Sequence, residues 1–276
     1  MKILTWDTTN YGDRLNDIVW PHYLPGLLDD NQSELLVGIG SLLNHRLPQG
    51  PAKHIFGAGY GHGDVPEVDS TWNVVWVRGP LTAKTLNLSP DKAITDGGML
   101  LADMYERAAK EHDVSFIPHC SAEGGALDEL ERICARAGIN FINPNWPLDR
   151  VLRQINASRK LITEALHGAI TADALRVPWL PVARSGVYSF KWHDWLASMG
   201  MEYRPVGLPY RPSWISPELV PTKLQHHLIP LLRPFSKAML EKRLAALAKS
   251  DQWRLSDDKV LKQRLAEMKG AMRDFG

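Results

Sequence analysis

Apolar residues in the first hundred positions fall into short, nearly unbroken blocks. "KILTW" (2–6), "ELLVGIG" (34–40), "KHIFGAG" (53–59), "NVVWVRG" (73–79) and "KAITDGGML" (92–100) each predict a strand with little polar alternation. "DRLNDIVWPHYL" (13–24) predicts a helix interrupted near Pro21, and "GPLTAKTLN" (79–87) a short helix begun through Pro80. Strands covered on both faces and separated by helices predict a parallel sheet. At 102–113 the pattern shifts to "ADMYERAAKEHD", expected as a charged helix that crosses to a second unit.

The same rhythm then restarts. "VSFIPH" (114–119), "INFINP" (139–144), "KLITEALH" (160–167) and "PWLPV" (178–182) read as strands. "GALDELERICARAG" (125–138), "PLDRVLRQINAS" (147–158) and "GAITADALRV" (168–177) read as the helices between them. The expected fold is therefore α/β, with two Rossmann-like domains, 1–108 and 109–212, facing a cleft that is the default site. A helical C-terminal extension, 213–276, follows. Its two long segments, 222–250 and 256–276, are apolar on one side and rich in Lys and Arg on the other. Packing against the domains is the first reading of these helices, and contact with an anionic membrane surface the second.

Composition narrows the classes. The 276 residues carry a formal net charge of +1, which argues against nucleic acid as a partner. Two cysteines, Cys120 and Cys134, behind a start that is no secretory signal are expected to be reduced, in a cytoplasmic protein. No apolar run reaches the length of about 18 residues that a membrane span needs. The ten tryptophans are expected mainly in the core, with sugar stacking as the alternative. Scattered histidines match no zinc spacing, so no metal is assigned.

Parallel sheets bind ligands at the carboxyl ends of their strands, and the candidate chemistry gathers there. "TTNYGDRLN" puts Asn10, Gly12 and Asp13 between the first strand and its helix, as an anion site or as helix caps. "GIGSLL" and "FGAGYGHG" place glycines after strands but lack the dinucleotide fingerprint, and no P-loop is present. Arg78 in "WVRGPLTA" suits a carboxylate or phosphate, and Asp96 in "ITDGGML" occupies a similar strand end. His119 and His167 end strands of the second set, where histidine is the natural proton donor or acceptor. Glu164 lies beside His167, Gly168 would let a ligand approach the next helix, and Lys191 stands nearby in "VYSFKWHDWL".

As an ordered set, "NYGDRLN", "GIGSLL", "FGAGYG", "VRGPLTA", "ITDGGMLL", "FIPH", "EALHGAITADALRVPWLPV" and "YSFKW" resemble the blocks of the polysaccharide pyruvyl transferase family, over roughly residues 3 to 200. The resemblance implies a fold similar to the two-domain glycosyltransferase type GT-B. It also implies phosphoenolpyruvate as donor substrate, with no further cofactor. The acceptor is expected to be a terminal hexose of a lipid-linked exopolysaccharide repeat unit, closed into a ketal across O4 and O6, with peripheral association at the inner membrane surface. Carried over by motif, Asn10, Gly12, Arg78, His119, Gly168 and Lys191 are expected to bind the donor, and Glu164 and Tyr188 the acceptor. His167 is expected to transfer a proton at the donor, and Asp13 to take one from the acceptor hydroxyl. Where many members have Arg before Leu-His, this chain has Ala165. One donor contact must then come from elsewhere, with Lys191, Arg184 or Arg14 as candidates. Two other readings are a GT-B glycosyltransferase using a nucleotide sugar and a non-catalytic sugar-binding protein.

Overall fold

The computed structural model describes residues 1–5, 10–61, 63–122, 125–183, 189–208 and 236–275. Tyr188, Arg184 and the stretch 213–235 lie outside these residues.

Two parallel sheets carry the chain, consistent with two Rossmann-like domains. The first has the order β1-β2-β3-β4, from β1 (Lys2–Ile3), β2 (Glu34–Val37), β3 (Ala52–Phe56) and β4 (Trp72–Trp76). The second has the order β6-β5-β7-β8-β9, from β5 (Ser115–Ile117), β6 (Asn140–Phe141), β7 (Leu161–Thr163), β8 (Trp179–Ala183) and β9 (Val206–Gly207). Period-two side-chain alternation splits each strand between two cores. In the first sheet Leu35, Val37 and Ile55 pack on an outer cluster with Leu43 and Ala83, while Leu36, Phe56 and Trp76 face inward. In the second, Phe116, Ile162 and Leu180 face outward, and Ile117, Leu161 and Trp179 inward. The inward faces share one cluster, so a single apolar core joins the sheets.

The helices fill these layers. They are α1 (Tyr11–Arg14), α2 (Asn16–Tyr23), α3 (Pro80–Thr85), α4 (Leu101–Met104), α5 (Gly125–Arg136), α6 (Leu148–Asn156), α7 (Leu166–Ala174), α8 (Phe190–Ser198), α9 (236–248) and α10 (Asp258–Phe275). The apolar side of α9 closes the outer face of the second sheet through Leu240, Leu244 and Leu247. The apolar side of α10 enters the shared core through Leu261, Leu265, Met268 and Met272. Its last ring, Phe275, meets Phe56 of the first sheet at 5.0 Å. Five tryptophans, Trp20, Trp76, Trp179, Trp192 and Trp195, are wholly buried. No helix among the described residues is long and apolar enough to cross a membrane.

Four expectations change. The first helix is broken at Leu15, between α1 and α2, and α2 runs on through Pro21. "KAITDGGML" forms no full strand: Ala93 makes one parallel bridge to Val77, and Gly97–Leu100 is a 3-10 turn capped by Asp96. The charged segment 102–113 stays helical only to Met104. The Asn156 side chain takes the Ala108 N–H and donates to Glu106 O, and Ala157 O accepts from Glu111 N and His112 N. These bonds satisfy the backbone in an extended path instead of a helix. Finally, β7 ends at Thr163, so His167 lies in the first turn of α7 instead of on a strand.

Two buried polar clamps set the geometry of the first sheet's loops. Asn16 donates to Asp13 O and Ile39 O, both at 2.8 Å, and accepts from Ile39 N at 2.7 Å and Trp20 Nε1 at 2.6 Å. It thereby fixes the α1–α2 junction onto the end of β2. Asp194 of α8 accepts from Leu81 N and Thr82 N, each at 2.9 Å, from Thr82 Oγ1 at 2.5 Å and from Arg78 Nε at 3.0 Å. The carboxylate caps α3 from another helix, and both members of the ion pair are buried. Removing one member strands the other, a cost of about 3–5 kcal/mol. Asp194→Leu is therefore expected to lower stability in urea by that amount, and adding Arg78→Met should restore part of the loss. A double variant as unstable as the sum of the two singles would contradict this account.

Candidate functional site

Loops after the strands of both sheets converge on a cavity of about 310 Å³. From the first sheet come Asn10 and Asp13 at α1, and Ser41, Leu42 and Arg46 after β2. From the second come His119 and Cys120 after β5, and Ala165, Leu166 and His167 at the start of α7. Lys191, in the first turn of α8, completes the wall.

Asn10 caps α1 through Gly12 N at 3.3 Å and donates its Nδ2 to Asp13 Oδ2 at 3.0 Å, which orients the carboxylate. Gly40, at φ 127°, leaves room for the same carboxylate, since a Cβ there would come within 3.3 Å of Asp13 Oδ1. Opposite, the imidazole of His167 presses on the backbone of Gly12 so closely that a Cβ at Gly12 would overlap the ring. Gly12 thus serves packing at the site and is itself buried off the wall. His167 Nε2 faces Asp96 Oδ2 at 3.8 Å.

Two cations reach the cavity. Burial pulls the Lys191 ammonium below the usual lysine range and nearby Arg78 adds to this, while Cys120 and Asp13 oppose it. Arg46 is exposed on a loop that no strand-end glycine motif marked, and the sequence reading missed it. Its only signal was position, six residues beyond Gly40 on the chain's return path across the sheet. Burial pushes the Cys120 thiol above its ordinary value, with Lys191 opposing the shift and Asp13 adding to it.

Other expected site residues stand off the wall. Arg78 is buried, with its guanidinium donating to Asp194, to Ser41 Oγ at 3.2 Å and to Tyr60 O. The guanidinium is thus committed to a buried ion pair, and it meets the cavity wall at Ser41, whose Oγ accepts from it. Gly168 faces the sheet, where a Cβ would run into Thr163 Oγ1 and Ile117 Cγ2, so its value lies in the close approach of α7 to β5 and β7. Glu164 is buried and accepts from His119 N at 3.2 Å; burial, with Glu164 adding to it, pushes the Tyr203 phenol up to about 12. Arg14 is half exposed and pairs with Asp17. Among the described residues no cluster of three metal-ligating side chains gathers.

A carboxylate, two histidines and two cations line one cavity in an α/β frame of two parallel sheets, a set of groups able to move protons and to hold an anion. The sequence profile of "Polysaccharide pyruvyl transferase" matches residues 9–186, and the chain belongs to that family. The succinoglycan biosynthesis protein ExoV of Rhizobium meliloti (strain 1021) is 37% identical over 217 residues, covering 76% of this chain and 68% of that protein. No solved structure matches the chain.

The Gly12–His167 contact is directly testable. Gly12→Ala should displace the imidazole, shift its ring resonances and cost about 1–3 kcal/mol through overpacking. Unchanged ring signals and unchanged stability would refute the contact.

Proposed function

We propose that the protein transfers pyruvate from phosphoenolpyruvate onto two hydroxyls of a sugar, releasing phosphate. The observation that carries this reading is the convergence of Asp13 and His167 with two cations, Arg46 and Lys191, on one cavity. Phosphoenolpyruvate bears a phosphate and a carboxylate, and two cations from opposite sheets suit two anionic groups. Arg46, alongside Lys191, is a second side chain able to supply the cation that the family's arginine would bring at Ala165.

In the proposed reaction His167 delivers a proton to C3 of the donor, which makes C2 electrophilic. One acceptor hydroxyl attacks C2 and yields its proton to Asp13. The C2–O bond to phosphate breaks with its electron pair, and the second hydroxyl closes the ketal on C2. Of the two hydroxyl protons, one replaces that given to C3 and the other leaves with phosphate.

The name of the Rhizobium relative supports an acceptor of the exopolysaccharide kind. We take the acceptor to be a terminal hexose of a lipid-linked repeat unit, modified at O4 and O6, between two domains of the GT-B type. Exposed Lys242, Arg243 and Lys249 on and just beyond α9 suit an anionic membrane surface near such a substrate. Glu164, the candidate to hold a nucleotide ribose, stands off the cavity wall, so nothing favours the nucleotide-sugar reading.

Two measurements test the proposal. Phosphate release from phosphoenolpyruvate should depend on a hexose-terminated acceptor and fall by about 10²–10⁴-fold in His167→Ala. Release that survives the substitution would remove His167 from the chemistry; absence of release with every acceptor, together with tight binding of a nucleotide sugar, would overturn the transferase reading. Because burial lowers the Lys191 pKa, its charge is lost at a lower pH than an ordinary lysine's. Phosphoenolpyruvate affinity, followed by calorimetry, should therefore begin to weaken below the ordinary lysine range as pH rises, and Lys191→Gln should abolish that decline.

A further inference from the structure

Asp96 belongs to none of the roles above, yet its surroundings are unusual. It is wholly buried at the start of the 3-10 turn Gly97–Leu100. Oδ1 accepts from Gly98 N at 2.9 Å, which accounts for a capping role. Oδ2 is buried without a hydrogen-bond partner among the described residues, and so is His167 Nε2, 3.8 Å away. Buried polar atoms are seldom left unpaired, and two that face each other have a common explanation. At 3.8 Å they are too far apart for a hydrogen bond. A closure of about 1 Å would make a charge-assisted one, and such contacts commonly tighten only when substrate binds.

We infer that Asp96 is a positioning residue for His167, its carboxylate holding the Nε2 proton so that Nδ1 is the nitrogen offered to the reactant. The inference rests on the assignment of proton transfer to His167. Gly12 packs against the Nδ1 and Cγ edge of the ring and Asp96 lies at Nε2, so the imidazole is held between a backbone and a carboxylate, and of its two nitrogens Nε2 is the one buried without a partner. Capping alone would need only Oδ1. A carboxylate also differs from an amide here in a way that can be measured. In Asp96→Asn the remaining oxygen is kept by the Gly98 N–H, which turns the NH₂ toward His167. Two donors would then face each other unless the ring gives up its Nε2 proton, so the substitution should switch the tautomer.

The test uses the whole protein with ¹⁵N-labelled histidine, the His167 signals being assigned by their loss in His167→Gln. Wild type should show neutral His167 protonated at Nε2, and Asp96→Asn should show it protonated at Nδ1. Turnover of phosphoenolpyruvate with acceptor should fall by about 10²–10⁴-fold in Asp96→Asn with KM little changed. Protonation at Nδ1 in wild type would overturn the inference without need of any Asp96 variant. So would lost turnover in Asp96→Asn with the tautomer unchanged, which would mark a purely structural residue. Full turnover in His167→Gln would instead refute the proton-transfer reading itself, whatever the tautomer.

Discussion

The approach of the Gly12 backbone to the His167 imidazole is the constraint on which the rest of the site depends. One partner follows the first strand of one sheet and the other opens a helix after the third strand of the second sheet in chain order. Their contact requires a residue without a side chain at position 12 and brings Asp13, the next residue, to the cavity that His167 lines. The contact in turn needs the two sheets locked together. The shared apolar core does this broadly, with α10 running from one sheet to the other, and close helix packing does it locally. Gly98 lies against Ile170 of α7, so the 3-10 turn that carries Asp96 is pressed onto the helix that carries His167.

Charge is arranged in two layers around this contact. The inner layer is the buried Arg78–Asp194 pair, which joins α3 to α8. Its energetic value is architectural, because desolvation offsets much of the attraction between buried ions. Lys191 lies one turn before Asp194 on α8, so the clamp that fixes the helix also fixes the lysine at the cavity wall. The outer layer, Lys191 and Arg46, remains at the cavity, where a substrate anion would repay the desolvation that pulls the lysine's pKa down. Burying one arginine as structure leaves the cavity dependent on cations from other elements.

The fold was legible to the extent that it is local. Unbroken apolar blocks marked the strands because both sheet faces are covered, and helix boundaries such as Pro80 and Gly138 carry their own backbone chemistry. The segments 92–100 and 102–113 escaped because their backbone groups find partners far away in sequence, at Val77, Asn156 and Ala157. The site divides in the same way. Asn10, Asp13, His119 and His167 could be named from residue type and strand-end position, and Lys191 from the family motif; all five line the cavity. Gly12, Arg78, Glu164 and Gly168 were recognisable as special, and each makes a contact that motif reading does not contain.

By itself, then, the sequence determined the α/β rhythm, the family and the set of residues able to handle protons and anions, since periodicity and residue chemistry are properties of short stretches. Tertiary structure alone decided which arginine is consumed in packing and which reaches the cavity. It alone set Asp96 behind His167, 71 residues away along the chain. Those outcomes depend on desolvation and on angstrom-scale distances between residues far apart in sequence, and both come into being only when the two sheets pack.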